Sequence, residues 1–564
     1  MGKHLGEGLA CELGTPKGSR ASTSARAATT AAALAATIGA LATIAPLPAQ
    51  AAGDSVTIDT GKLHGTTASG STAGGSSTGG VTAFKGIPYA LPPLGNLRWK
   101  PPQPAAKWQG VREANSYGAD CMQEPFPGDA APLGVTPGED CLYVNVWAPE
   151  PRTTKLPVMF WIYGGGFVNG GASPAVYDGS QFAKDGVILV SFNYRLGHLG
   201  FFAHPALSAE QPDFPAANYA IMDQVAALKW VKRNIAAFGG DPQNVTIFGE
   251  SAGGNSVNML LTSPLAAGLF QKAIIESGGG RPGLFQDRLI SGPGESAQNM
   301  GLSLAKKYGI EGEGPEALAK LRQIPADKLK LQMMLRDPTY VGGPVVDGKL
   351  NLGAPTELFG AGKAAHVPVM VGANSMDIGF TQGTTLDELY ANFGADAAKA
   401  KALYNPDNST DVRVVAFRMG GDQTMVEPAR EIARKLSAHG QPVYEYRFSY
   451  VAESIRKTTP GAPHATEIPY AFDTVSARYG KDLTAADEGA AKAMHEYWVT
   501  FAKTGKPTAK GHPDWPAYDA KSDKILDFTA SGPVAGPDPW KQRLDLAEAV
   551  NEKHEQSRKA EARP

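Results

Sequence analysis

Cysteine is nearly absent from this chain, which has only Cys11, Cys121 and Cys141. No third or fourth ligand stands at a suitable spacing beside them, which argues against a bound metal. Neither sign of charge is in excess. The 53 Lys and Arg balance 55 Asp and Glu, leaving a formal charge of −2. No basic stripe or lysine-rich run occurs, so nothing points to nucleic acid or an anionic membrane surface. After residue 51 no apolar run is long enough to span a bilayer, and no internal repeat is found.

Residues 1–51 read as an export signal. Lys3, Lys17, Arg20 and Arg26 precede an apolar stretch over 27–45, and Ala49-Gln50-Ala51 forms a small-x-small cleavage site. An uncleaved membrane anchor is the alternative. The expected chain is secreted or periplasmic, with no stable membrane insertion once the signal is removed. Cys11 would leave with the signal. Cys121 and Cys141 then form an even pair in an oxidising compartment, for which a disulfide is the natural reading and two reduced thiols the alternative.

Length alone would allow three or four domains in the remainder, 52–545, although α/β enzymes often run long as one unit. Residues 65–80 are almost wholly Gly, Ser, Thr and Ala, the composition of a flexible hairpin loop or linker. From 142 onward, apolar runs alternate with helical periods. Strands are expected at 142–147, 158–163, 187–193, 245–248, 273–276, 367–371 and 443–448. The clearest helix is 219–238, with Ile221, Val225, Leu228, Val231 and Ile235 on one face and Gly239-Gly240-Asp241-Pro242 to end it. This alternation implies an α/β fold with a mainly parallel central sheet and helices on both faces. Residues 283–360 and 380–440 are helix-rich and are expected to cover the strand ends like a lid. Residues 546–564 are charged and are expected to fray as a tail.

One stretch carries the chemistry. An apolar run at 245–248 meets Gly249-Glu250-Ser251-Ala252-Gly253 and continues into a segment that can be helical. Glycines two positions either side of a serine let neighbouring backbone approach a tight strand-to-helix turn and leave the hydroxyl exposed. The helix start behind it aims free N–H groups at developing negative charge. Upstream, Trp161-Ile-Tyr-Gly164-Gly165-Gly166-Phe167 follows a strand. Consecutive glycines there leave bare N–H groups that, with the N–H of Ala252, would serve as oxyanion donors.

The chain resembles the type-B carboxylesterases, the family of bacterial para-nitrobenzyl esterases, animal carboxylesterases and cholinesterases. The matching stretches include Phe84-Lys-Gly-Ile-Pro-Tyr-Ala90, Glu139-Asp-Cys-Leu-Tyr-Val-Asn-Val-Trp147 and Trp161 to Phe167. Asn193-Tyr-Arg-Leu196, Asp223-Gln224, Phe238-Gly-Gly-Asp-Pro242, Phe248 to Gly254 and Phe501 to Pro507 continue the set. The resemblance implies the α/β-hydrolase fold, one catalytic domain over 52–545, and hydrolysis of small-molecule esters without metal or cofactor. It puts the nucleophile on Ser251, the oxyanion donors on Gly165, Gly166 and Ala252, and the family's first disulfide on Cys121 and Cys141.

The base is expected at His464, in a loop after the strand at 443–448 and before Glu467-Ile-Pro, where the family has its histidine. His198, His204 and His495 lack that context. The acid is expected at Asp377, in Gly372-Ala-Asn-Ser-Met-Asp377-Ile-Gly379, where the family usually carries a glutamate. Asp347 and Asp473 are weaker candidates. Glu250 and Ser277 resemble family residues that hydrogen-bond near the triad, with plain structural support as the alternative.

Substrate is less legible. Where the resembling cholinesterases carry a tryptophan upstream of the second cysteine to stack on the quaternary ammonium, this chain has only Phe126 as an aromatic between Cys121 and Cys141, so the resemblance disfavours a choline ester. The triple-glycine loop resembles that of family members tolerant of bulky alcohols, so the resemblance permits tertiary alcohol esters. Amidase, thioesterase or lipase action with the same triad is the alternative, and a non-catalytic adhesion protein is a reading from another class.

Overall fold

The computed structural model describes residues 54–68, 80–126, 128–214, 216–282, 288–333, 336–379, 381 and 383–561. The expected export signal lies outside them, as does the 69–79 part of the glycine–serine segment. The N-terminal part gives β1 (Ser55–Ile58), β2 (Gly61–His64), β3 (Thr66–Ala68), β4 (Val81–Pro88) and β5 (Val111–Glu113). The middle gives β6 (Tyr143–Pro149), β7 (Leu156–Ile162), β8 (Ile188–Phe192), β9 (Gly240–Glu250) and β10 (Lys272–Glu276). Then follow β11 (Val369–Asn374), β12 (Val443–Phe448), β13 (Lys524–Thr529) and β14 (Gly532–Pro537).

β1, β2 and β5 make a small sheet, and the other strands make one of eleven, in the order β14-β13-β12-β11-β10-β9-β7-β8-β6-β4-β3. This sheet is mixed, so the mainly parallel expectation holds for its centre and not for its edges. Pairings from β8 through β13 are parallel, but β3-β4, β4-β6, β6-β8 and β13-β14 are antiparallel. The parallel strands are crossed over by helices, whereas β13 and β14 are joined by a two-residue turn, and a hairpin can only return antiparallel. β8 and β10 to β12 are buried along their whole length, which is why their sequences run apolar or bulky without strict alternation.

The chain reverses direction of winding at β7, which has β8 on one side and β9 on the other. Such a switch point leaves a crevice at the carboxyl ends of the strands. Register brings those ends level: Ile162 pairs with Gly249, Glu276 with Glu250 and with Gly372, and Asn374 with Phe448.

The expected 219–238 helix is an α-helix over Tyr219–Asn234 that tightens to 3₁₀ over Ile235–Phe238 and stops at Gly239, whose φ is 91°. A left-handed residue at that place suits glycine because it has no Cβ. The fraying expected of 546–564 is not seen over its described part. Lys541–Glu561 is a helix whose Leu544, Leu546, Ala547 and Val550 are buried. Its acids meet arginines of other elements: Asp545 and Glu548 with Arg430 at 2.9 Å each, and Glu555 with Arg281 at 3.0 Å. Charge there marks an ion-pair network, not a solvated tail.

Cys121 and Cys141 are bonded to each other and almost fully buried. The bond closes a loop across a sequence separation of 20. Loop-closure entropy gives such a link about 3 kcal/mol. Urea unfolding of the reduced protein is therefore expected to show a stability lower by about that amount; an unchanged midpoint would mean the loop is held by its packing alone.

Candidate active site

The turn after β9 is built by close backbone approach. A Cβ on Gly253 would stand 1.9 Å from the carbonyl oxygen of Ile162, and one on Gly249 2.6 Å from the same atom. No side chain fits at either place, so the strand of Ile162 can sit directly against the turn. Ser251 itself has φ 57° and ψ −121°, an uncommon conformation for a residue with a side chain. Its N–H donates to Glu276 O at 2.9 Å, and its carbonyl accepts from Asn255 N at 2.8 Å, starting the helix Ala252–Thr262.

Three loops converge on that turn. His464, in the loop after β12, places Nε2 2.9 Å from Ser251 Oγ and Nδ1 2.6 Å from Asp377 Oδ1. Asp377, after β11, is buried and accepts at Oδ2 from Ser277 Oγ (2.7 Å) and Asn374 N (3.0 Å), and at Oδ1 from Ile378 N (2.8 Å). The bridge between Met376 and Pro463 ties the two loops together. Aspartate thus reaches the imidazole despite being a methylene shorter than glutamate. After β7, Gly165 and Gly166 have φ of 100° and 60°, and a Cβ on Gly164 would meet Glu250 O and Ser251 Cβ within 3 Å. Among the described residues, the amides of Gly165, Gly166 and Ala252 donate to no backbone acceptor.

The other candidates lie elsewhere. Asp347 accepts from Asn218 and from the amides of Lys349, Leu350 and Asn351. Asp473 is near Gln181 (3.4 Å). His495 bonds Ala471 O and Asp185, His204 caps its own turn through Ala206 N, and His198 is buried beside Tyr340.

The carboxyl groups around His464 are driven apart. Burial raises Asp377, but the imidazole, Ser277 and the Asn374 amide overcome this and hold it below its ordinary value. Burial pushes Glu250 well above the usual carboxyl range, against the opposing pull of His464. Glu276 and Glu467 are both pushed up to about 8, chiefly by burial. One acid is held below its ordinary value while its neighbours are raised above theirs, the pattern that separates roles among like groups. No role for Glu276 or Glu467 is legible in the sequence: Glu276 adjoins Ser277 and Glu467 follows His464 by three residues, but a lone acid within a loop or strand end carries no periodic signal. Glu467 is held by Asn374 Nδ2 at 2.5 Å, and Glu276 by Trp498 Nε1 at 2.8 Å.

His464 Nε2 also faces Glu250 Oε1 at 3.2 Å. Burial alone would lower the imidazole, yet Glu250 and Asp377 reverse this and raise it to about 10. A base must be unprotonated, so with His464 as the base activity rises as pH climbs through the apparent value of its imidazole. Removing the Glu250 charge removes an attraction for the proton. Glu250→Gln is therefore expected to shift the acid limb of kcat/KM to lower pH, while a coincident limb would show that Glu250 does not act on the imidazole's charge.

Residues 52–543 match the Carboxylesterase family. The chain is 35% identical over 481 residues to the fumonisin B1 esterase of Sphingopyxis macrogoltabida, covering 82% of this chain and 86% of the relative. It is 36% identical over 485 residues to the para-nitrobenzyl esterase of Bacillus subtilis, covering 84% and 94%. With mouse cholinesterase it shares 34% over 492 residues, 79% of each chain. Family match, large mixed sheet and the loops gathered at its switch point together place this chain in the carboxylesterase family, as a carboxylic ester hydrolase.

Proposed function

We propose that the protein hydrolyses small-molecule carboxylic esters through an acyl-enzyme on Ser251, as an exported enzyme. The observation that carries this is the continuous hydrogen-bonded line Ser251 Oγ–His464–Asp377, at 2.9 and 2.6 Å. In the neutral imidazole Nδ1–H donates to Asp377, which leaves the Nε2 lone pair facing the serine hydroxyl. Ser251 Oγ attacks the ester carbonyl while Nε2 takes its proton, and Asp377 stabilises the imidazolium. The oxyanion accepts from the amides of Gly165, Gly166 and Ala252, each such donor being worth about 10²–10³ in rate. Collapse breaks the C–O bond of the alcohol, and Nε2–H protonates the departing alkoxide. Water then repeats the sequence on the acyl-enzyme, freeing the acid and Ser251.

Export is supported by the charged and apolar leader and by the Cys121–Cys141 disulfide. Among the described residues no helix is long and apolar enough to cross a membrane. The test is hydrolysis of p-nitrophenyl acetate, butyrate and octanoate by the purified protein, with labelling by a fluorophosphonate. Turnover together with labelling at Ser251 is expected, and the chain-length profile sizes the acyl pocket. Labelling without turnover of any of the three would leave a narrow specialist, and neither would overturn the reading.

A further inference from the structure

A second cavity, of about 520 Å³, lies against the loops that carry Asp377 and His464 without including either residue, Ser251 or the Gly164–Gly166 turn. Its charged lining is all of one sign, Arg418, Arg456 and Arg543, and no carboxylate faces it. Arg418 and Arg543 are fixed by carboxylates that do not line the cavity, and Arg456 by the carbonyl of Val451, which does. Arg418 forks onto Asp407 at 2.9 and 3.3 Å, Arg543 onto Asp422 at 2.6 and 2.8 Å, and Arg456 onto Val451 O. A guanidinium has five N–H donors, so a two-point fork orients it and leaves others to offer. The guanidiniums of Arg418, Arg456 and Arg543 also remain partly exposed. The rest of the wall is in part apolar, with Leu403 and the Trp540 ring, on which Arg543 stacks at 3.6 Å.

We infer that this cavity is a binding site for an organic carboxylate, its charged end among the three arginines and its apolar body against Trp540 and Leu403. The volume is that of a small-molecule site, and preset guanidinium forks favour a carboxylate. An inorganic anion would leave the apolar wall unused. The floor gives the site a route to the chemistry. It includes Ser375, Met376 and Gly461, where Met376 N donates to Ala462 O and Ala462 N to Ser375 Oγ, both at 2.9 Å. That junction precedes Asp377 by one residue and His464 by two. The acid released from an ester belongs to the same chemical class as the ligand; that link alone rests on the proposed function, and the binding does not.

Thermal unfolding tests the site without needing turnover. Wild type and Ser251→Ala are heated with hexanoate, with hexan-1-ol as its neutral counterpart, and with sulfate. Hexanoate is expected to raise Tm saturably in both proteins, and the other two to do so much less. Arg418→Gln with Arg456→Gln is expected to weaken hexanoate by about tenfold or more, as loss of charged hydrogen bonds implies. Should that double variant unfold by itself, Ala530→Trp serves instead. Ala530 lies in an exposed turn and lines the cavity, so the larger ring blocks the space while keeping every guanidinium. A hexanoate shift that survives in whichever variant folds, that is equalled by hexan-1-ol or sulfate, or that fails to appear in wild type, overturns the inference.

Discussion

Ser251→Ala is expected to lose about 10⁵–10⁶ of kcat on p-nitrophenyl butyrate, the scale on which removal of a serine nucleophile acts. The residue sits at φ 57°, and alanine inherits the same backbone, so no strain is added or released. What leaves is one hydroxyl, whose recorded side-chain bond is to His464 Nε2. Stability is then expected to stay within about 1 kcal/mol, the net worth of one such bond. Loss of rate with an unchanged unfolding midpoint separates a lost nucleophile from a damaged fold. Retention of a tenth or more of the activity would remove Ser251 from the mechanism. The oxyanion amides of Gly165, Gly166 and Ala252 are untouched by the change, so a small rate above the uncatalysed reaction is expected to persist.

Asp377→Asn carries the second large effect, about 10⁴ in kcat. The buried carboxylate accepts four hydrogen bonds, from His464, Ser277, Asn374 and Ile378. An amide is nearly the same shape but brings its own N–H donors into a shell built to donate. It turns the imidazole to the tautomer whose Nε2 carries the proton, which cannot take one from Ser251. It also removes the charge that stabilises the imidazolium. Asp377→Glu keeps the charge at the cost of fitting one methylene more beside Ser277, and is expected to lose far less than Asn. If Asn and Glu lose equally, the role of Asp377 is packing and not charge.

These expectations rest on groups far apart in the chain. His464 lies 87 residues from Asp377 and 213 from Ser251. Their meeting depends on parallel register, which sets the ends of β9, β10, β11 and β12 level so that the loops beyond them share one crevice. No local pattern encodes that register. The motif stretches are only partly explained by chemistry. Asn193-Tyr-Arg195 and Asp223 hold a buried fork, with Arg195 Nε and Nη2 both 2.8 Å from Asp223. Likewise Glu139, two residues before Cys141, takes a two-point contact from Arg98 at 2.5 and 2.7 Å. Such pairs anchor the loops behind the site and touch none of the reacting groups.

What the amino-acid order determined by itself is what acts within a few residues. Apolar runs marked β6 to β12, because a strand buried on both faces needs no polar alternate. The period of Ile221, Val225, Leu228 and Val231 marked the helix that buries them. Glycines 249 and 253 marked the turn, because a Cβ at either would collide with Ile162 O. Tertiary structure alone decided the rest. β13 and β14 went unnoticed because pairing, β13 with β12 and β14 with β13, makes them the edge of the sheet, and no local pattern encodes that pairing. The charged C-terminal segment became a helix because Arg281 and Arg430 wait opposite its acids. Asp377 stays ionised while Glu250, Glu276 and Glu467 are pushed toward neutrality. That division follows from burial and neighbouring charge, which distant parts of the chain supply only once it is folded.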